Sequence, residues 1–205
     1  MSDISKTKEA IFDTFIELIS AVGYENVSMR EVAHGVGIQV ASIYNHFNTK
    51  NDILEFAYDY YEQRQFDNRT PIEQMKKMIE TASAEEIIKL FVYTYNSEDQ
   101  KKFMRMILIT KIIYMRIYQD PLAKEKFMDS YRHNTDYICE IMRHGIDAGR
   151  VDPGFDIESF ADLLIGAMHV VAIKAFTSDS YEFGRLEDDE RILAMIARLL
   201  ATALR

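Results

Sequence analysis

The sequence predicts an all-α protein of about ten helices, and three observations carry that expectation. Only three prolines and eight glycines interrupt 205 residues, leaving little material for hairpins. Long stretches are rich in Leu, Ile, Met, Lys and Glu, which favour helix. Helix-start signatures recur along the chain, and 48% hydrophobic residues suffice for a substantial core.

From Ile4 onward, Ile11, Phe12, Phe15, Leu18, Ile19 and Val22 recur at helical spacing, and Gly23 offers a left-handed stop. Ser28 and Glu31 have the spacing of a capping box, so a short second helix starts there and runs to about Val36. Gly37 permits a tight turn, after which Gln39 to Phe47 resumes a helical pattern with Val40, Ile43 and Phe47 in register. Two short helices joined by a glycine turn, behind a longer first helix, form a helix-turn-helix. Thr49 to Asp52 opens a fourth helix with no flexible linker before it.

Farther along, Thr70-Pro71 and Asp120-Pro121 each place a capping side chain before a proline suited to a first helical position. Ser83 with Glu86 and Ser97 with Gln100 form two more capping boxes. Gly149 and Pro153 close a long helix, Asp156 starts another that reaches about Phe176, and a last amphipathic helix spans roughly Glu187 to Leu204. The division expected is a module over residues 1–48 and a larger helical body over 49–205. The last two helices carry broad apolar faces: Phe160, Leu163, Leu164, Ala167, Val170 and Val171 on one, Ile192, Met195, Ile196, Leu199 and Leu200 on the other. Such a pair either docks on its two-fold copy as a four-helix bundle, giving a homodimer, or closes the core of a single chain.

Composition excludes several classes. The longest apolar stretch, near Leu163 to Ile173, is shorter than the roughly 20 residues a bilayer requires, so no membrane partner and a cytoplasmic location are expected. One cysteine, Cys139, allows no internal disulfide and no thiol metal knuckle. Five scattered histidines make no metal site, and Glu31 with His34 lacks the matching pair on another helix that a di-iron centre needs, so neither metal nor cofactor is expected. There is no nucleophile and base at recognisable spacing and no phosphate loop, which argues against an enzyme. A net charge of −9 argues against a protein that coats nucleic acid non-specifically.

The third helix nevertheless carries Gln39, Ala41, Ser42, Asn45 and His46, a polar face small enough to enter a major groove. Gln39 and Asn45 match adenine edges, Ser42 a base or phosphate, and Val40 or Ala41 a thymine methyl, unless Val40 packs inward. The run from Ser28 to Lys50 resembles the N-terminal motif of the TetR family of bacterial regulators. The marks are Val32-Ala33, Gly37-Ile38 at the turn, Ala41-Ser42 before Ile43-Tyr44, His46-Phe47, and Lys50 opening the fourth helix. The resemblance implies a repressor that binds palindromic or pseudo-palindromic operator DNA as a homodimer and is released by a small-molecule effector. It further implies backbone contacts by Ser28, Tyr44, His46 and Lys50, with Arg30 reaching a guanine or a phosphate. The bland alternatives are a Tyr44 ring wedged among the helices and a solvated Arg30. An activator, or a ligand sink, fits the same resemblance, and an all-helical enzyme on a hydrophobic substrate is the rival from another class.

The larger body is rich in Met and aromatic residues, a lining suited to apolar or aromatic compounds. The stripe Phe103, Met106, Thr110 and Tyr114 follows helical spacing and serves either a pocket or the core, and Tyr95, Tyr137 and His169 add polar groups to the pocket reading. Residues 1–50 carry four cations, Lys6, Lys8, Arg30 and Lys50, against six carboxylates. Operator affinity is expected to be modest and to fall steeply with salt, and so few cations should keep non-specific binding slight. A titration at two salt concentrations checks this, and an affinity indifferent to salt contradicts it.

Overall fold

In the computed structural model the helical pattern becomes ten helices among the described residues, which are 5–67, 69–92, 100–177 and 187–205. They are α1 (Lys6–Val22), α2 (Met29–Val36), α3 (Val40–Ile43), α4 (Lys50–Asp67), α5 (Ile72–Thr81), α6 (Ala84–Val92), α7 (Gln100–Arg116), α8 (Pro121–Asp147), α9 (Ile157–Thr177) and α10 (Glu187–Ala203). Among the described residues no helix is long and apolar enough to cross a membrane.

Helix ends follow the local chemistry. Ser5 Oγ accepts the Lys8 amide and starts α1, and Gly23, at φ 84°, ends it. The capping box of α2 is complete: the Glu31 amide donates to Ser28 Oγ at 3.2 Å and the Ser28 amide to Glu31 Oε2 at 2.7 Å. Gly37, at φ 77°, ends α2 with paired bonds from its own amide to His34 and from the Ile38 amide to Ala33, a Schellman turn. Thr49 and Asp52 cap α4 reciprocally, the Asp52 amide donating to Thr49 Oγ1 at 3.1 Å.

Two boundaries differ from the sequence expectation. The α3 helix keeps α-helical pattern only over Val40–Ile43, and the chain then tightens, the His46 amide bonding the Ile43 carbonyl at 2.8 Å as it turns toward Thr49. At α5 the capping position falls on Pro71 without a side-chain bond, while the Thr70 carbonyl accepts from Tyr137. Asp120 behaves as expected, its carboxylate accepting from the Leu122 amide at 3.0 Å.

Packing gathers the chain into two compact units, Met1–Asp67 with Glu98–Phe127, and Asn68–Ser97 with Met128–Arg205. In the first unit α1 packs against α2, α4 and α7. Its Ile11, Phe12, Phe15, Ile16 and Ile19 are buried with Val32, Ile43, Leu54, Tyr58, Ile109 and Ile112. Rings continue this core, Phe12 meeting Phe56 edge-on at 5.1 Å and Phe56 meeting Phe47 at 5.7 Å. A Cβ at Gly35 would stand 2.7 Å from the Thr14 methyl, so α2 lies on α1 at a distance only glycine allows.

In the second unit α10 packs on α6 and α9, around Ile79, Ile87, Ile141, Met142, Leu164 and Leu200. Gly149, at φ 72°, ends α8 in another Schellman turn, and the chain end is pinned there as Asp152 and Arg205 exchange backbone bonds with Ala203 and Arg150.

Gly35→Ala is expected to destabilise the protein by about 1–2 kcal/mol, since the clash with a stiff β-branched side chain exceeds the gain in helix propensity. Thr14→Ser in the same chain removes the offending methyl and restores most of the loss. Urea midpoints of the single and double variants measure both.

Candidate functional site

In the helix-turn-helix, Ile43 and Phe47 are buried, and the residues between and before them are turned outward. Gln39, Ala41 and Asn45 are exposed, as are Ser28 and Arg30 at the start of α2, while Val40, Ser42 and His46 are half-buried. Tyr44 is 51% exposed, so its ring is not wedged among the helices. The polar face thus stands on an apolar footing, with the Ser28 hydroxyl engaged in the α2 cap.

Lys50 sits differently from a side chain reaching outward. Its Nζ donates to the Tyr24 carbonyl at 2.8 Å and lies 4.0 Å from the centre of the Tyr24 ring, which also receives the Arg116 guanidinium at 4.1 Å. Arg116 in turn pairs with Asp120 at 3.2 Å, and Asp120 accepts from the Tyr58 hydroxyl at 3.1 Å. Burial, foremost, and then the neighbouring Asp120 push the Tyr58 hydroxyl well above its ordinary range. Sequence spacing gave no hint of this set, because its members come from one turn and from α4, α7 and the α8 cap.

The carboxylates that make the module acidic are largely engaged. Arg105 of α7 grips Asp13 of α1 with two bonds, Nε to Oδ1 at 2.5 Å and Nη2 to Oδ2 at 2.9 Å, and also binds Glu9. Lys101 adds an ion pair to Asp13 at 2.9 Å. The hydrogen bond from Arg105 holds Glu9 below the usual carboxylate range. For Asp13, burial works upward but is outweighed by the bonds from Arg105 and Lys101, so its carboxyl too is lowered. Glu31 is held in the α2 cap, and Glu25 lies 3.9 Å from Arg116.

The residues expected at a dimer interface divide. Phe160, Leu164, Val171, Ile196 and Leu200 are buried within the chain's own core and are thereby removed from any interface, and Ala167 and Ile192 are half-buried. Leu163 and Leu199 are exposed, Met195 is 74% exposed, and Val170 of the same apolar face joins them.

The residues expected at a pocket are also dispersed. Tyr95 and the side chain of Phe103 lie outside the described residues. Met106 is buried, and the Thr110 hydroxyl donates to the Met106 carbonyl of its own helix at 2.7 Å. Tyr114 packs edge-on against Phe127 at 5.6 Å, and burial raises its hydroxyl well above the usual range. His169 is half-buried on α9, and desolvation lowers its pKa, favouring the neutral ring.

Tyr137, one of these expectations, lines a cavity of about 30 Å³ inside the second unit. Phe91 of α6, Ile138 of α8 and Leu164, Ile165 and Met168 of α9 supply apolar walls, and Arg69 and Asn134 supply polar ones. Arg69 Nη2 donates to Asn134 Oδ1 at 2.6 Å, and its guanidinium lies 5.1 Å from the Tyr137 ring centre. Burial pushes the Tyr137 hydroxyl up to about 12, and it donates to the Thr70 carbonyl at 2.7 Å. Arg69 and Asn134 escaped the sequence reading, since a single Arg and a single Asn 65 residues apart form no motif. A groove of about 250 Å³ between α6 and α10 is rimmed by Glu85, Lys89 and Glu190 and contains no aromatic side chain. No group of three or more His, Cys, Asp or Glu side chains among the described residues could hold a metal ion.

Compared with known proteins, residues 8–56 match the family of bacterial regulatory proteins described as the tetR family. The HTH-type transcriptional regulator SrpR of Pseudomonas putida is 19% identical over 172 residues, covering 82% of this chain and 76% of that protein. A Saccharomonospora viridis protein described as a transcriptional regulator, in complex with choline, superposes with a TM-score of 0.69 at 20% identity, over 98% of this chain and 100% of its own. AibR in complex with isovaleryl coenzyme A and operator DNA gives 0.64 at 18% identity, over 97% of this chain and 100% of its own. At these identities the likeness establishes the fold.

Replacing Arg105 by Met leaves Asp13 and Glu9 without their fork and is expected to cost about 3 kcal/mol near neutral pH. Because both carboxyls are lowered in the folded state, their contribution is fully present above the ordinary carboxylate pKa and is lost as pH falls through the folded values. Stability of the unmodified protein should therefore drop below about pH 4 more steeply than that of the variant, as urea titrations across pH 2–6 would show.

Proposed function

We propose that the chain is a transcriptional regulator of the TetR family, whose model matches residues 8–56, and that it is a repressor that a small apolar or aromatic effector releases from operator DNA. The family is non-enzymatic. The observation that carries the DNA-binding assignment is the exposed polar face of α3, Gln39, Ala41 and Asn45 with Tyr44 beside them, raised on buried Ile43 and Phe47. Arg30 and Ser28 extend this face at the start of α2, and Val40, Ser42, His46 and Lys50 complete the proposed contact set. In this reading residues 1–48 bind DNA, residues 49–205 bind the effector and dimerise, and the protein acts in the cytoplasm.

Two further observations support it. Glu9 and Asp13 are neutralised by Arg105 and Lys101, so the acidic count of the module overstates the repulsion that a phosphate backbone would meet. The exposed apolar residues Leu163, Val170, Met195 and Leu199 of α9 and α10 suit a two-fold helical interface, which would present two recognition helices to a palindromic site. The relatives in complex with choline and with isovaleryl coenzyme A and operator DNA support small-molecule control by likeness.

Release follows from geometry. Two recognition helices must match successive major grooves, about 34–36 Å or a multiple apart. The α4 helix begins one capping turn after the recognition segment and packs on α1 and α7, so a shift of α4 carries the module with it. An effector acts only to the extent that it binds the released state better than the DNA-bound state.

A mobility-shift titration with the DNA upstream of the protein's own gene, against a scrambled duplex, tests the assignment. Sequence-specific retardation is expected, and Arg30→Ala with Tyr44→Ala should weaken it by about 2 kcal/mol or more, at least thirtyfold. Both side chains are exposed, so circular dichroism should be unchanged. A double variant that binds the operator as tightly as the parent excludes this face.

A further inference from the structure

One apolar stripe of the first unit faces outward. On α7, Met104, Leu108, Lys111 and Met115 are spaced like the a and d positions of a heptad and fall within about 60° of arc. Met104 is 46% exposed and Met115 47%, Ile107 and Leu108 are half-buried, and Tyr118, in the turn after the helix, is 95% exposed. We infer that this stripe is a docking surface for an amphipathic helix of a partner protein, one that sets a carboxylate against Lys111 between apolar residues. The surface is separate from the operator and effector reading and depends on neither part of it.

The fold itself does not call for the stripe. Buried Met106, Ile109, Ile112 and Ile113 already seat α7 among its neighbours α1 and α4, and Arg105 fixes its register on α1. Exposed apolar side chains scattered singly are ordinary, whereas a contiguous run of them marks a surface that another molecule covers. The residue types suit a protein partner. Methionine is unbranched and adapts to the side chains it meets, and tyrosine adds apolar area with a polar tip at the edge. From Met104 to Met115 the stripe runs about 16 Å, about three turns, which a second helix laid along α7 covers from end to end.

Charge identifies the occupant. Lys111 stands at the midpoint of the stripe, equally far in sequence from Met104 and Tyr118. Among the described residues it enters no ion pair, whereas Lys101 and Arg105 of the same helix are engaged with Glu9 and Asp13. A second copy of α7 is therefore a poor partner. In a two-fold pair centred on the stripe, parallel or antiparallel, the two Lys111 ammoniums would oppose each other where water is being excluded. A carboxylate at the centre of the partner's apolar face removes that cost and gives the lysine a counter-charge. The same lysine then rejects helices that are apolar or basic at that position, since either leaves its charge desolvated and unpaired.

Fluorescence anisotropy on the full chain tests the surface with a blocked helical peptide of about 18 residues, leucine at the heptad positions around one central glutamate and alanine and glutamine elsewhere. The glutamate peptide should bind at least tenfold tighter than its counterpart with lysine at the centre. Lys111→Glu should reverse that order, and Met115→Asp should weaken the glutamate peptide at least tenfold. Both substitutions lie on the outer face, so circular dichroism should be unchanged. A glutamate peptide that fails to bind, that binds no better than the lysine peptide, that keeps its advantage on Lys111→Glu, or that binds Met115→Asp as well as the parent overturns the assignment. Sedimentation tests the second copy: the parent and Met115→Asp should sediment alike, and a larger assembly formed by the parent alone would give the face to another α7 and overturn the inference.

Discussion

The first unit depends on one arginine. Arg105 projects from α7 onto Glu9 and Asp13, one helical turn apart on α1, and binds both, with two bonds to Asp13. Everything that gives the recognition segment its position is referred to α1: α2 lies on it through Gly35, and the rings of Phe12, Phe56 and Phe47 run from it through α4 to the end of the recognition segment. Apolar packing alone would let α1 slide or rotate on α7 at little cost, because Ile and Phe contacts are non-directional. A guanidinium fork accepts two carboxylates in one geometry only. Burying these charges contributes little net free energy, since desolvation offsets most of the attraction. What the cluster supplies is a single register between the two helices.

The same cluster alters the meaning of the chain's charge. A net charge of −9 spread evenly would oppose any approach to DNA, yet within the module Glu9, Asp13 and Glu31 are each hydrogen-bonded to a partner that cancels or orders them. Charges at the far ends of such bonds act over short range in salt, where the screening length is about 8–10 Å. Composition sums all charges equally, whereas a ligand meets only those on the face it approaches.

Legibility of the sequence follows the range of each interaction. The α2 capping box, the Gly37 turn, the Thr49 and Asp52 cap and the Gly149 stop were all readable, because each is completed within six residues. The Arg105 cluster joins residues 92 and 96 positions apart, and Arg69 and Asn134 are separated by 65, so no local pattern announces them. The α9 helix shows a different limit. It is apolar around most of its circumference, and periodicity cannot say which side of such a helix faces the core. Leu164 and Phe160 went inward while Leu163 and Val170 stayed out, a difference of one position that only packing against α6, α8 and α10 decides. At α5, Thr70-Pro71 looked like a cap from local chemistry, but the capping position falls on Pro71 itself, which has no side-chain acceptor to offer.

These features bear together on how a recognition module with more carboxylates than cations could work. Most of the affinity of DNA-binding proteins comes from phosphate contacts, which carry no sequence information. Here Lys50, the cation nearest the recognition segment in sequence, is held on Tyr24, and Lys8 lies over the Phe47 and Phe56 rings at 4.9 and 4.7 Å. Cations held in this way stiffen the module and lose part of their reach toward phosphate. On the reading proposed above, discrimination then falls to the base-facing side chains of α3 and to the spacing of two copies, and spacing is the quantity a displaced α4 would alter. A module that bound phosphate strongly would stay on DNA through a small change of spacing. On the same reading, one that binds it weakly would be released by that change, so the scarcity of lysine on this face would make a small helix shift sufficient.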